Sequence, residues 1–514
     1  MDYDFIIIGS GFGGAASAMR LSEKGYNVLV LEKGRRLTEK NFPKTNWNLK
    51  RWLWLPAIGF RGLFKLTFFR HVTVLSGVGV GGGSLVYANT LPIPPDTFFN
   101  SGSWSGLADW KKELMPFYRE ARRMMGTAPN PKMTRGDHIL KEIAAEQGRP
   151  EAFRPTDVAV CFARAGQTVP DPYFDGQGPP RAGCTFCGGC MLGCRFNAKN
   201  TLDKNYLWFA EKYGAEIRPE CNVSDVRPLS EDGAAGYRVF FRERKRGKKS
   251  LTTRHIIFAG GVLGTLELLL KLKAGSLPNL SPMVGREIRT NSESLLGVTT
   301  FDKSIDFSKG VAISSIYHTD EHSHLEPVRY SAGSGFWRIF MAPLVSGRNA
   351  LVRALAIVGD WLRHPLENTR AYFVRDWAKS TQILLFMQTC DSVLRFVRRG
   401  GRLSSTVTSG KAPTAFIPEA RELARTFARK AGGKPVALMT ESLFGIPTTA
   451  HILGGCPIGA DARQGVVDKD LKVFGYRNMW VCDGSVISAN PGVNPSLTIL
   501  ALTERAMSRI PPAK

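Results

Sequence analysis

Two side chains near the end of the chain are suited to proton transfer from a polar group. His451 stands in the turn His451-Ile452-Leu453-Gly454-Gly455-Cys456, and Asn494 in Gly492-Val493-Asn494-Pro495. A histidine titrates near neutral pH and can accept a hydroxyl proton, while an asparagine amide can orient an oxygen without adding charge. A histidine on such a turn also suits a purely structural role. The second cluster is Cys184-x-x-Cys187-x-x-Cys190-x-x-x-Cys194. Its spacing matches a ferredoxin-type run that wraps an iron–sulfur cluster, and four thiolates also satisfy a tetrahedral zinc site. Arg195 follows where the ferredoxin run has proline, and free thiols packing glycine turns are the third reading. His318, Asp320, His322 and His324 lie in a polar stretch without a flanking helix or strand pattern and read as a solvated loop.

Proton transfer by itself oxidises nothing; an oxidation also needs an acceptor for electrons, and the glycines supply a place for one. Gly9-x-Gly11-x-x-Gly14 sits between a predicted strand over 4–8 and a predicted helix over 15–24, with a second strand over 28–32. In this context the bare glycines permit the tight turn, the approach of a pyrophosphate and close packing of helix on strand. The phosphates would rest on the helix N-terminus, and Glu32 is spaced to hydrogen-bond a ribose hydroxyl. A second glycine-rich loop, Ser76-Gly77-Val78-Gly79-Val80-Gly81-Gly82-Gly83-Ser84-Leu85, is poor enough in side chains to admit a flat or anionic ligand to its backbone N–H groups. Two more strand-to-helix passages are predicted, at 256–270 and 479–507. The fold class is therefore α/β, with α+β character overall: one Rossmann-like domain assembled from distant segments and an inserted substrate domain of mixed sheet and helices. The expected partition gives 1–100, 195–300 and 440–514 to the nucleotide domain, and 101–194 and 301–439, with the cysteine loop at 184–194, to the substrate domain.

With 514 residues, 43% of them hydrophobic and 22% charged, the chain has the size and composition of a folded enzyme of more than one domain. Its net charge of +25 favours polyanionic neighbours. No nucleic-acid module or basic tail is evident, so no nucleic acid is expected. Cations alternate with large apolar side chains from Arg51 to Arg70 and again from Arg348 to Arg399, a mixture that suits the surface of an anionic membrane or the solvated side of core helices. No signal-peptide pattern opens the sequence and no apolar run is long enough to span a bilayer. Scattered cysteines suit a reducing compartment, so the expected place is the cytoplasm or the inner face of a membrane.

The three separated segments, Gly9 to Leu21 with Glu32, the loop from Ser76 to Leu85, and the stretch from His451 through Asp483-Gly484-Ser485 to Pro495, together resemble the glucose-methanol-choline (GMC) oxidoreductases and, among them, the cholesterol-oxidase-like branch. The resemblance implies FAD as the cofactor. Gly9, Gly11, Gly14 and Glu32 would hold its ADP part; Gly77, Gly79, Gly82, Gly83 and Ser84 would pass along the pyrophosphate and flavin; Asp483 and Gly484 would approach the ribityl-phosphate portion, and Asn494 and Pro495 the ring edge. His451 and Asn494 would stand over the flavin as base and orienting group, for oxidation of a sterol-like or long-chain alcohol to a ketone or aldehyde by hydride transfer. Members of this branch also move a ring double bond with a carboxylate base, and no Glu of this sequence can be placed on that motif. The rival readings are fatty-acid photodecarboxylation, found elsewhere in the family, and a membrane-associated lipid-binding flavoprotein without catalysis. No residue pattern separates oxygen, a quinone or a redox protein as the electron acceptor, although relatives with an iron–sulfur cluster near a cysteine-rich loop make the four cysteines a conceivable outlet.

Overall fold

The computed structural model describes residues 1–390, 392–409 and 412–513. Phe5 to Ile8 of strand Tyr3–Ile8 and all of strand Val28–Leu31 are unbroken, buried apolar runs, the pattern of parallel strands covered on both faces. They pair in parallel with each other, and Tyr3–Ile8 pairs in parallel with Gly247–Phe258. The sheet runs in the order Glu216–Arg218, Val28–Leu31, Tyr3–Ile8, Gly247–Phe258, Tyr237–Glu243, Cys221–Pro228, and Met479–Val481 joins Gly247–Phe258 in parallel. Helix Phe12–Glu23 starts where the first strand ends, and helix Gly261–Lys273 where Gly247–Phe258 ends. Such strand ends are where open α/β sheets bind ligands.

A second sheet is antiparallel throughout: Met341–Pro343, Gly433–Leu438, Ser294–Thr300, Thr381–Gln388, Ser323–Val328, Ser315–His318, Phe153–Pro155. Alternation along its strands divides two cores. Leu296, Val298, Leu384 and Phe386 pack under helices Arg135–Glu146 and Pro418–Ala431, while Leu295, Ile383 and Leu385 face the opposite way. That opposite face becomes the wall of a cavity.

The expected partition needs three changes. Ser294–Thr300, expected in the nucleotide domain, is a central strand of the second sheet. Trp104, Trp110, Tyr118 and Met124 belong with the first core instead of the substrate domain, as do Leu394 and Phe396. Helix Trp110–Met124 explains one of these: its apolar stripe packs on helix Ser496–Ser508, a contact no local pattern reveals. The expected solvated loop around His318 to His324 is also corrected. Ser315–His318 and Ser323–Val328 form a paired hairpin, and Ser323–Val328 is buried along its whole length. Its sequence, SHLEPV, hides the strand because the polar His324 and Glu326 are buried on the same face as Val328.

Candidate active site

The first glycine turn shows why each glycine is there. Gly9 has φ of 103°, and a Cβ on it would lie 2.3 Å from the Ala259 carbonyl oxygen. A Cβ on Gly14 would lie 2.1 Å from the Gly9 oxygen, so this glycine seats the helix on the strand. Around Gly11 nothing lies within 4 Å of where a Cβ would be, and the residue lines two adjoining cavities. Those are the turn, the packing contact and the open approach that a dinucleotide pyrophosphate needs. The second glycine loop closes over the first: a Cβ on Gly82, whose φ is 51°, would come within 2.7 Å of Gly11 Cα. Gly77, Gly82 and Gly83 face the cavities. Gly79 and Ser84 instead hold the loop's shape, Gly79 against Leu85, and Ser84 by donating to the Gly81 oxygen at 2.7 Å and accepting from Leu202 N at 3.1 Å.

Glu32 lines one cavity and is nearly buried. It accepts from Ser10 Oγ (2.8 Å), Ser10 N (3.1 Å) and Gly34 N (2.8 Å), so the carboxylate braces the turn and keeps capacity for one more donor such as a ribose hydroxyl. Asp483 lines the other cavity, accepting from Thr265 Oγ1 (2.5 Å) and from Ser485 N and Oγ (2.9 and 2.6 Å). Burial raises its carboxyl above the usual range, with the Ser485 and Thr265 donors acting against that rise. The two cavities share Gly11, Gly77, Gly83 and the run Ala259-Gly260-Gly261, giving a continuous groove from Glu32 to His451. These linings offer a dinucleotide a carboxylate at Glu32, an open backbone approach at Gly11 and, at the far end, Asp483, Asn494 and Pro495.

At the far end His451 and Asn494 come together. Asn494 Nδ2 is 3.3 Å from His451 Nε2, and His451 Nδ1 is 2.5 Å from Glu293 Oε1. Glu293 is buried, and its other oxygen accepts from Ala450 N at 3.2 Å. With the Nδ1 proton directed at the carboxylate, Nε2 is left to accept. The wall around the pair is apolar, including Leu295, Val328, Trp337, Met341, Ile383 and Leu385, and encloses a cavity of about 300 Å³.

Three carboxyl groups here escaped sequence reasoning: Glu293, Glu326 and Glu441. Glu326 and Val328 project from the same face of strand Ser323–Val328, and Val328 lines the cavity. Glu326 is fully buried, and neither of its oxygens has a hydrogen-bond partner within the chain, nor has Asn494 Oδ1. Burial pushes the Glu326 carboxyl up to about 8, the neighbouring Asn494 amide acts to lower it and Glu293 adds to the rise. His324 Nε2 stands 3.7 Å from Glu326 Oε1, too far for a hydrogen bond, and burial drives this imidazole well below its ordinary value. Glu441 accepts from Leu295 N and Thr448 N, both at 3.1 Å, and burial raises it to about 8. Glu293 between two serines, Glu326 within a strand and Glu441 in a short helix carry no local sign of such a role. Only contacts between distant segments bring these groups to His451.

The four cysteines lie behind the cavity wall, since Met191 lines the cavity and its neighbour Cys190 lines a small pocket with Cys184, Cys187 and Cys194. Phe186 N points to Cys184 Sγ at 3.4 Å and Ala198 N to Cys194 Sγ at 3.3 Å. Burial raises the Cys190 thiol to about 11, with Cys187 adding to the rise. Among the described residues no group of three or more His, Cys, Asp or Glu side chains is arranged to hold a metal ion. Cys184, Cys190 and Cys194 pack with Val158, Val160, Ala198 and Val311.

The GMC oxidoreductase family models match residues 3–291 and 387–503. This chain is a GMC oxidoreductase. It is an FAD-dependent enzyme of the CH–OH-oxidising kind and belongs to the cholesterol-oxidase-like branch. This GMC oxidoreductase is 45% identical to a cholesterol oxidase of Acinetobacter baumannii, over 99% of this chain and 94% of that protein. It is 42% identical to a cholesterol oxidase of Mycobacterium tuberculosis, over 99% of this chain and 91% of that one. Its fold is shared with pyridoxine 4-oxidase from Mesorbium loti, with a TM-score of 0.64 at 14% identity over 99% of both chains.

Proposed function

We propose that this enzyme oxidises the hydroxyl of a lipophilic alcohol, sterol-like or long-chain, to a ketone or aldehyde. The observation that carries the reading is the His451–Asn494 pair, backed by Glu293 and set in an apolar cavity beside the glycine groove. FAD held in that groove supplies the acceptor for the hydride. His451 Nε2 takes the hydroxyl proton, Asn494 Nδ2 donates to the alcohol oxygen, and Glu293 holds the Nδ1 proton and stabilises the imidazolium that results. The apolar wall excludes water and selects a hydrophobic carbon skeleton. The cholesterol oxidase relatives support a sterol as substrate. Such a substrate resides in membranes, so we place the enzyme at a membrane surface; among the described residues no helix is long and apolar enough to cross one.

Glu326 favours a second step. A double bond moves when a base takes a proton from one carbon and returns it to another, and a buried, unpartnered carboxyl beside Asn494 suits that exchange. Replacing Glu326 by Gln should leave flavin reduction in place while an unconjugated ketone accumulates from a sterol with a ring double bond.

The central test is anaerobic mixing of the purified enzyme with sterols and long-chain alcohols while the flavin absorbance near roughly 450 nm is followed. Bleaching that is lost in His451→Ala, with FAD retained, is the expected result. A bound flavin that no alcohol bleaches would overturn the proposal in favour of photodecarboxylation or of lipid binding without catalysis. Iron and zinc measured on the same sample test the cysteine loop: stoichiometric iron would make it an electron outlet.

A further inference from the structure

Helix Ala350–Arg363 is built inside out. Its leucine stripe, Leu351, Leu355, Val358 and Leu362, is 69%, 64%, 55% and 76% exposed, at the i, i+4, i+7, i+11 spacing that places the four within about 60° of the helix circumference. An amphipathic helix of a soluble domain turns such a stripe to the core. Here the opposite side does the anchoring. Arg353 is buried and donates from Nε to the Leu443 oxygen and from Nη1 to the Gly347 oxygen, both at 2.8 Å, while its guanidinium lies 4.5 Å from the Phe416 ring. Asp360, also on that side, pairs with Lys434 at 2.8 Å and accepts from Asn368 Nδ2 at 2.9 Å. These bonds fix the helix with its apolar stripe outward. The next helix, Pro365–Tyr372, and its C-cap extend the surface with Leu366 and Phe373, 78% and 70% exposed.

We infer that the outward face of these two helices docks on an anionic bilayer and inserts its leucines among the lipids, so that the active-site cavity opens where the substrate resides. The inference rests on the reading of a lipophilic alcohol as substrate and names the element that reaches it. Charge argues for a bilayer as the occupant. Between 348 and 375 the chain has five arginines against one aspartate and one glutamate, and Arg348, Arg363, Arg370 and Arg375 are exposed. A second copy of the chain would bring the same cations against one another across a two-fold interface, whereas anionic headgroups neutralise them. Position argues likewise. Helix Ala350–Arg363 packs on helix Met439–Phe444 and strand Met341–Pro343, and Met341 and Leu438 line the cavity. The insertion face is thus one element away from the cavity wall.

The test is flotation of the FAD-loaded enzyme with vesicles of phosphatidylcholine alone or of equal parts phosphatidylcholine and phosphatidylglycerol. The wild type should float with the anionic vesicles. Leu355→Glu with Leu362→Glu should weaken that binding about tenfold or more, whereas Leu355→Met with Leu362→Met should retain it. Flavin content, melting temperature and oxidation of a detergent-dispersed alcohol should be the same in all three proteins. Anionic binding that is absent in the wild type, or unchanged in the glutamate variant, would overturn the inference. So would a wild-type dimer that the glutamate variant dissociates, because the face would then belong to a second copy. Failure of the detergent assay in every protein would instead count against alcohol oxidation and leave the flotation result standing.

Discussion

Glu293 controls which nitrogen of His451 is free. At 2.5 Å from Nδ1 it directs the imidazole proton away from the substrate and leaves Nε2 facing Asn494. Glu293→Gln keeps the size of the side chain but removes the charge that stabilises the imidazolium, and a misplaced proton can block Nε2. The expected result is a fall in the rate of flavin reduction of about 10²-fold or more with FAD still bound, read by anaerobic stopped flow. A second consequence concerns Glu326, whose carboxyl is raised from 4.5 to about 8 by burial. Between those values the folded chain holds a proton that the unfolded chain releases. The associated stability is present below the unfolded value and is lost as pH rises through about 8. Glu326→Gln removes the titration while keeping the side chain's size and its place beside Asn494. The melting temperature of the variant should therefore fall less steeply than that of the wild type from about pH 5 to pH 8. Parallel curves would contradict this.

The strand–turn–helix units separate cofactor binding from folding within one turn. Gly11 opens on the groove and Gly14 presses on the Gly9 oxygen, so the two glycines answer differently to the same substitution. Gly11→Val should give a folded protein that purifies with little flavin, seen as loss of visible absorbance with far-ultraviolet dichroism retained. Gly14→Val should lower the melting temperature as well, because its Cβ has to displace backbone. The strands and helices around these turns were legible because a parallel strand is a short apolar run and a glycine turn follows it. Ser323–Val328 was not, since its polar residues break the alternation that marks a strand. Two of them, His324 and Glu326, share a face with Val328, which lines the cavity.

Across the whole molecule, the proposed docking would draw on a net charge of +25 and an outward apolar helix together: long-range attraction would gather the enzyme at an anionic surface and the leucines would hold it there. Salt screens only the first effect. Raising ionic strength from about 0.05 to about 0.5 M should raise the apparent KM for an alcohol embedded in anionic vesicles and leave that for a detergent-dispersed alcohol nearly unchanged. The sequence by itself determined the nucleotide-binding units and the glycine groove, because each depends on residue types at short, regular spacing, whereas His451 and Asn494, 43 residues apart, were paired through the family resemblance. Tertiary structure decided the rest. Glu293, Glu326 and Glu441 reach the site only through contacts between segments far apart in the chain, and the raised carboxyls of Glu326 and Glu441 arise from burial that no local pattern encodes. The same holds for helix Ala350–Arg363: its pattern announces an apolar face, but only the polar anchors Arg353 and Asp360 on its other side determine that this face looks outward.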